Sequence, residues 1–214
     1  GNRPARAQTF RDRNNEVFTV VVVDLAARDD LSLCPDEPDN GSGVGTCDPT
    51  RLSAAQALSD WIADDPTASG DTDVLIIGDL QSYTQEAPIN LLRENGYSDL
   101  IDLIFTTSTY NHAYAEFDAT SPFGWGTLDY ALASPSLVAQ ITGADFWRIN
   151  ADEPTLLGYD STGLSTDEID AYLDESIYAS SDRDPLLVGL ELAAQSAFTV
   201  FSPIGVIDDA YGDP

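Results

Sequence analysis

The sequence predicts an α/β fold, in which apolar strands are layered against amphipathic helices. Three observations carry that prediction. Val17 to Val23 (VFTVVVV) is a β-branched run of strand length. After Asp48-Pro49, the apolar residues Leu52, Ala55, Leu58, Trp61 and Ile62 recur at helical spacing. Val74 to Ile77 is a second branched run, and it ends in Gly78-Asp79. A buried strand leaves its core in that way: the glycine frees the turn and a carboxylate emerges at the rim. Strand, helix and strand in this order make an α/β layer pattern.

The chain has 214 residues, 43% of them hydrophobic, which is enough for one sizeable core. No apolar run approaches the length of a membrane-spanning helix. Charge is the outlier, with Asp+Glu 37 against Lys+Arg 9 and a formal net charge of -28. Every basic residue is arginine. A surface of this sign repels nucleic acid and anionic headgroups, and it suits high salt, divalent cations or a basic partner. Adaptation to a saline habitat would account for the acidity equally well. The chain has no methionine and opens at Gly1, so a removed leader or pro-segment, or a longer parent protein, is expected.

The remaining elements follow in order. Cys34 and Cys47 flank a loop of Pro, Asp, Asn and Gly, the pattern of a surface disulfide in an oxidising compartment. Closing such a loop stabilises by about 3 kcal/mol. A metal site there is disfavoured, because the only histidine, His112, is distant. Asp48 is expected to cap the helix, with Pro49 in its first turn. Thr67 to Thr72 reads as a polar loop. Pro88 to Asn95 reads as a short helix stopped by Gly96. Leu100 to Phe105 fits either a strand or a helical turn. Ser121 to Gly126 is a Gly/aromatic loop, and Leu128 to Ser134 (LDYALAS) a strand. Pro135 to Thr142 is expected to be helical and Asp145 to Ile149 extended. Ser165-Thr166-Asp167-Glu168 is a capping box that opens a helix to Tyr172. Ser180 to Pro185 is a polar turn before an apolar strand, Leu186 to Leu192. Ala197 to Phe201 is expected to be a last strand, ahead of a polar tail. Trp61, Trp125 and Trp147 read as core or loop-anchoring aromatics.

Six stretches, in unbroken order, resemble one family. They are VDLAAR (Val23 to Arg28), TRLSAAQALSDWI (Thr50 to Ile62), VLIIGDLQSY (Val74 to Tyr83), TLDYALAS (Thr127 to Ser134), WRINADEP (Trp147 to Pro154) and SSDRDP (Ser180 to Pro185). Over about residues 3 to 192 the chain resembles the secreted bacterial nuclease type of the endonuclease/exonuclease/phosphatase superfamily. The resemblance implies the C-terminal half of a four-layer α/β sandwich, two mixed β-sheets flanked by helices. Residues 1–192 would form that part of the domain, and 193–214 a terminal strand and acidic tail. It also implies divalent-metal phosphodiester hydrolysis. A His and an Asp of the last motif would move the proton, a GDxN pair would hold water and phosphate, and an early Asn-His pair would bind phosphate.

The sequence departs from that pattern at its chemistry. Val23 and Asp24 stand where the Asn-His pair is expected, and Gln81 stands for the Asn of GDxN. Tyr130 follows Asp129 in place of a His, Arg148 replaces another His, and Arg183 replaces the His of the last motif. Arginine cannot deprotonate to serve as a base. The catalytic positions Asp24, Asp79, Gln81, Asp129, Tyr130, Asp182 and Arg183 are therefore read as vestigial. Asp79, Asp129, Asp182 and Asp184 could still hold Mg²⁺ or Ca²⁺, although no cofactor is required. They could equally persist as strand-end caps and turn formers. Arg183 is expected to pair with such a carboxylate as an internal cation.

The leading expectation is a catalytically inactive nuclease-like domain, a structural or interaction module of a secreted or cell-surface assembly. A metal-dependent extracellular phosphodiesterase or nuclease with an altered site is the alternative, and an acidic Ca²⁺-binding module the third reading. The expected partners are the N-terminal half of the same domain and other proteins of an extracellular assembly. Nucleic acid is not an expected partner.

Overall fold

The computed structural model describes residues 2–104, 112–114, 124–151, 164–172 and 180–192. Strand β1 (Arg6–Arg11) and β2 (Val17–Asp24) form an antiparallel hairpin, in register from Arg6 opposite Val22 to Arg11 opposite Val17. Asp12 closes its turn, accepting the amides of Asn14 and Glu16 at 2.7 and 2.9 Å. Helix α1 (Asp48–Ala63) then carries the chain to β3 (Val74–Asp79), which lies parallel to β2. Helix α2 (Ala87–Glu94), the two-residue β4 (Ser98–Asp99) and α3 (Leu100–Ile104) follow. β5 (His112–Tyr114) and β6 (Gly124–Gly126) pair only with each other among the described residues. β7 (Asp129–Ala133) re-enters antiparallel to β3, and the sheet order is β1-β2-β3-β7-β4. After α4 (Pro135–Val138), β8 (Ile141–Phe146) and β9 (Leu186–Leu190) form a second antiparallel ladder, with α5 (Thr166–Tyr172) between them in sequence.

Strand alternation divides the packing between the two faces of the mixed sheet. Val21, Val23, Ile76 and Leu132 face α1 and α2, where Ala55, Leu58, Ile89 and Leu92 complete one core. Leu75, Ala131 and Ala133 face the other way, onto α3, α4 and the β8–β9 ladder through Leu100, Leu137 and Phe146. Val21, Ile76 and Leu132 are fully buried, and each such side chain contributes about 1.5–3 kcal/mol. The first core spans β2 and β3, so it fixes the strands whose ends build the site.

Several expectations are corrected. Cys47 caps α1 from the left-handed region at φ 60°, and Asp48 is already helical. The Cys34–Cys47 disulfide, Cα to Cα 5.4 Å, sets that entry. The buried stripe of α1 begins at Arg51 and continues through Ala55, Leu58 and Ile62, while Trp61 is 37% exposed. Residues 100–104 are helical. The helix after Pro135 stops at Val138, and the chain from Ile141 is already strand, because alternate residues Ala144 and Phe146 find a core. Trp147 is half exposed. The capping box is made as expected, with the Ser165 hydroxyl donating to Glu168 at 2.7 Å. The expected strand at 197–201, the tail, and the side chains of His112 and Trp125 lie outside the described residues. Among the described residues no helix is long and apolar enough to cross a membrane.

Candidate functional site

Three neighbouring strands end on one rim in a carboxylate. Parallel register sets Asp24 of β2 beside Asp79 of β3, and antiparallel register sets Asp79 beside Asp129 of β7. Gly78 makes the close approach feasible. It sits at φ 129°, and a Cβ there would stand 2.1 Å from the Val23 carbonyl oxygen. The Gly-Asp pair is thus dictated by backbone contact as much as by any chemistry at Asp79.

Arg183 reaches this rim from the loop before β9. Its Nη1 donates to Asp79 Oδ2 and, at 3.2 Å, to Asp129 Oδ2. Nε stands 3.7 Å from Asp182, whose side chain is mostly exposed. Burial alone would lower the Arg183 pKa; Asp129, Asp79 and Asp182 outweigh it and hold the guanidinium more firmly protonated than usual. The loop that delivers Arg183 is pinned on both sides. Asp184 Oδ1 accepts the amides of Ile149, Asn150 and Ala151 at 3.0, 2.9 and 3.1 Å. Asn150 donates to the Arg183 carbonyl at 2.6 Å and accepts the Ser180 amide at 3.1 Å. Arg148 lies 3.6 Å from Asp184 Oδ2. Beside this loop is a cleft of about 470 Å³, walled by Val22, Ile77, Leu186 and Val188, with Arg183 and Asn150 among its polar residues.

The other sequence-predicted residues are placed as follows. Gln81 adopts φ 49°, and its amide and Nε2 donate to Asp79 Oδ1 and Oδ2 at 2.9 and 2.6 Å. It fastens the carboxylate that Arg183 neutralises. Asp24 is taken by Arg3 at 2.6 Å. Tyr130 is not brought to the rim. Its ring is buried in the first core, and its hydroxyl lies 2.8 Å from the Ser82 carbonyl and 2.9 Å from that of Thr127. Burial raises its pKa. Asp184 is a buried anchor for backbone amides.

A second buried charge cluster, which the sequence reading missed, braces the rim from behind. Arg51 is fully buried and donates to the carbonyls of Thr46, Val44 and Ala26 at 2.6, 2.7 and 3.4 Å, and to Ser82 at 3.1 Å. Arg28 pairs with Glu86 at 3.1 Å and lies over the Tyr83 ring at 4.0 Å. Burial raises the Glu86 pKa against the opposing pull of Arg28. A sequence signal existed: Arg51, Ala55, Leu58 and Ile62 share one helix face, so an arginine lies on the apolar stripe.

Among the described residues, the carboxylates gathered at this rim do not fit a divalent metal. A guanidinium nitrogen already holds Asp79 and Asp129 together, and Asp184 spends one oxygen on three backbone amides. Among the described residues no group of three or more His, Cys, Asp or Glu side chains is placed to hold a metal ion. An arginine so paired offers a fixed positive charge and no proton acceptor.

No protein-family model matches the chain, and no curated protein matches its sequence. Solved structures do match. A 3' phosphatase from Neisseria, solved with a product DNA hairpin, aligns at TM-score 0.50 and 11% identity, over 90% of this chain and 72% of that one. A functionally unknown conserved protein from Enterococcus faecalis V583 aligns at TM-score 0.49 and 17% identity, over 87% of this chain and 56% of that one. An endonuclease/exonuclease/phosphatase family protein from Bacteroides thetaiotaomicron aligns at 0.46 and 12% identity, over 66% of this chain and 44% of that one. The chain thus spans about half the length of the last two. The Neisseria likeness establishes the fold alone, a mixed α/β arrangement shared with that phosphatase.

Proposed function

We propose that the chain is a catalytically silent domain of this nuclease-like fold, acting as a structural or interaction module in a secreted or cell-surface assembly. The observation that carries the reading is the Arg183 guanidinium bound to both Asp79 and Asp129. Phosphodiester hydrolysis needs a group that accepts a proton and a cation that contacts the phosphate. Here the cation is a side chain whose charge is already spent on two carboxylates. Gln81 and Arg183 together occupy both oxygens of Asp79. The Cys34–Cys47 disulfide supports an oxidising compartment. Phe10 and Val22, 44% and 49% exposed on the sheet face away from α1, support a further polypeptide layer supplied by the rest of the same domain.

The test is hydrolysis of a chromogenic phosphodiester and of single- and double-stranded DNA, with Mg²⁺, Mn²⁺ or Ca²⁺. The expected rate is no greater than that of the Asp79→Ala variant. Metal-dependent turnover that disappears in Asp79→Ala would instead establish an altered-site phosphodiesterase.

A further inference from the structure

We propose that the cavity at the far end of the main sheet from the rim is a binding site for a small quaternary ammonium cation, of the choline kind. The cavity has a volume of about 340 Å³, at the lower end of the ~300–1,000 Å³ range of ligand clefts. It opens where β3 begins at Val74 and β7 gives way to Ser134, whereas Asp79 and Asp129 stand at the opposite ends of the same strands. Its floor is apolar: Val21, Ile62 and Val74, each buried in the first core. Tyr97, packed on that core, and the prolines Pro66 and Pro135 wall it. Asp65 and Asp71 supply its charge, and no lysine or arginine is among its lining residues.

The sign of the ligand follows from the charges that meet here. Helix α1 ends at Ala63 and α2 is capped by Asn95; both residues line the cavity, so the negative ends of two helix dipoles open onto it. Burial raises the Asp71 pKa, the hydrogen bond from the Asp73 amide opposes that rise, and the charges of Asp73, Glu16 and Asp65 add to it, so these neighbours set a negative potential at the cavity wall. Asp73 is itself 2% exposed, and its Oδ1 has no hydrogen-bond partner among the described residues. An anion is repelled from this corner, and a cation is drawn in.

The hydrogen bonds decide which cation. Asp65 spends Oδ1 on the Ser69 amide at 3.0 Å and Oδ2 on the Gly70 amide at 2.8 Å. Asp71 Oδ1 accepts the Asp73 amide at 2.8 Å. Ser134 Oγ accepts the Val74 amide at 2.9 Å, and the Thr19 hydroxyl is 2.8 Å from that of Thr9. These polar groups are turned to the chain's own backbone and side chains, so they supply charge without a ring of open acceptors. A primary ammonium needs acceptors for its N–H donors, and Ca²⁺ needs about six to eight oxygen ligands. A quaternary ammonium carries its charge beneath methyl groups and needs neither. It suits an apolar floor in a negative field, and an aromatic side chain in the wall, here Tyr97, is the kind of group that holds it. A neutral molecule of the same shape fills the floor but gains nothing from the charge.

Binding here is independent of the chemistry at the rim. The probe is choline, titrated against the whole chain and followed by the broadening of its proton NMR lines. Ethanolamine and the uncharged isostere of choline, in which a tert-butyl group replaces trimethylammonium, are the comparators. Sodium chloride at about 0.5 M screens non-specific attraction to a chain of net charge -28. Saturable binding is expected with a dissociation constant below about 10 mM, at least about tenfold tighter than either comparator. Asp71→Asn keeps an acceptor for the Asp73 amide and should weaken binding by at least about threefold. Tyr97→Leu should weaken it by about fivefold, while Tyr97→Phe retains it. Thermal midpoints show which variants are folded, and Asp71→Asn keeps the test decisive if Tyr97→Leu is not. Asp36→Asn with Asp39→Asn, two exposed positions on the disulfide loop, should leave binding unchanged. Broadening that does not saturate, equal affinity for either comparator, or unchanged affinity in a folded Asp71→Asn or Tyr97→Leu chain would overturn the proposal.

Discussion

Replacing Arg183 by alanine removes the cation that Asp79 and Asp129 share. The side chains of Arg183, Asp79 and Asp129 are 17%, 20% and 25% exposed, so the site is largely shielded from water. Deleting one partner of a fully buried pair costs about 3–5 kcal/mol, because the remaining charge is stranded. Partial exposure here reduces that to about 2–3 kcal/mol. An independent route gives the same size. Two carboxylate oxygens that meet at one nitrogen stand on the order of 5 Å apart, and at an effective dielectric of 20 their repulsion is about 3 kcal/mol. For a chain of this length the thermal midpoint should fall by about 4–12 °C. The sign with pH follows by linkage. Without Arg183 the two carboxylates repel when both are charged, and protonation of either one relieves that repulsion. The gap between Arg183→Ala and wild type should therefore narrow on acidification. Adding Asp79→Asn to Arg183→Ala should restore part of the loss. Thermal denaturation at neutral and mildly acidic pH gives the complete cycle. A midpoint within about 1 °C of wild type, or a double variant no better than the sum of the singles, would refute the reasoning.

Three other outcomes follow. Gly78→Ala drives a methyl group to 2.1 Å from the Val23 carbonyl at a positive φ, so β2 and β3 must separate; urea unfolding should show a loss above about 3 kcal/mol, and a loss under about 1 would remove the close-approach argument. Reducing the Cys34–Cys47 disulfide should cost about 3 kcal/mol and expose the loop that feeds carbonyls to Arg51, measured as a lower midpoint and faster proteolysis within residues 35–46. Burial raises the pKa of Glu86 and of Asp99 above 4.5 and 3.8, so each contributes most below its unfolded value and loses that contribution as pH rises through the raised one. Stability should therefore increase as pH falls toward the ordinary carboxylate range, in the same sense as relief of the acidic self-repulsion, and a calorimetric midpoint that falls as that range is approached from neutral pH would contradict it.

The strand ends were legible because the physics that makes them is local. VLIIGD announces itself by four branched residues, a glycine that only a close backbone approach demands, and a carboxylate at the exit. The parallel pairing of β2 with β3 follows from the helix between them. β1 was not legible: Arg6, Gln8 and Phe10 are exposed and only Ala5 and Ala7 touch the core, so the strand lacks the apolar run that marks its neighbours. The Pro135 helix was overextended because nothing in PSLVAQIT signals where a helical row yields to strand alternation; the packing of Ala144 and Phe146 decides it. At the site, substitution of Arg183 for histidine was visible, and so was the expectation of an ion pair. The partners Asp79 and Asp129 depend on register across three strands and a loop more than a hundred residues away, which no local pattern encodes. Arg51 was hidden by the assumption that a helical stripe is apolar.

Arginine usage joins these features into one physical account. A chain with nine arginines and no lysine has only guanidinium groups to set against 37 carboxylates. A guanidinium is planar, always charged, and offers five donors, so it can be buried where an ammonium would leave acceptors unmet. Arg51 uses that geometry to bind three carbonyls and one hydroxyl, and Arg183 uses it to bridge two carboxylates from different strands. A metal ion could also knit strand-end carboxylates, but it would make the fold depend on its supply. The side chain comes with the sequence, and it removes the open coordination that metal-assisted hydrolysis requires. If the domain is catalytically silent as proposed, that silence and the stability of the rim would have one cause.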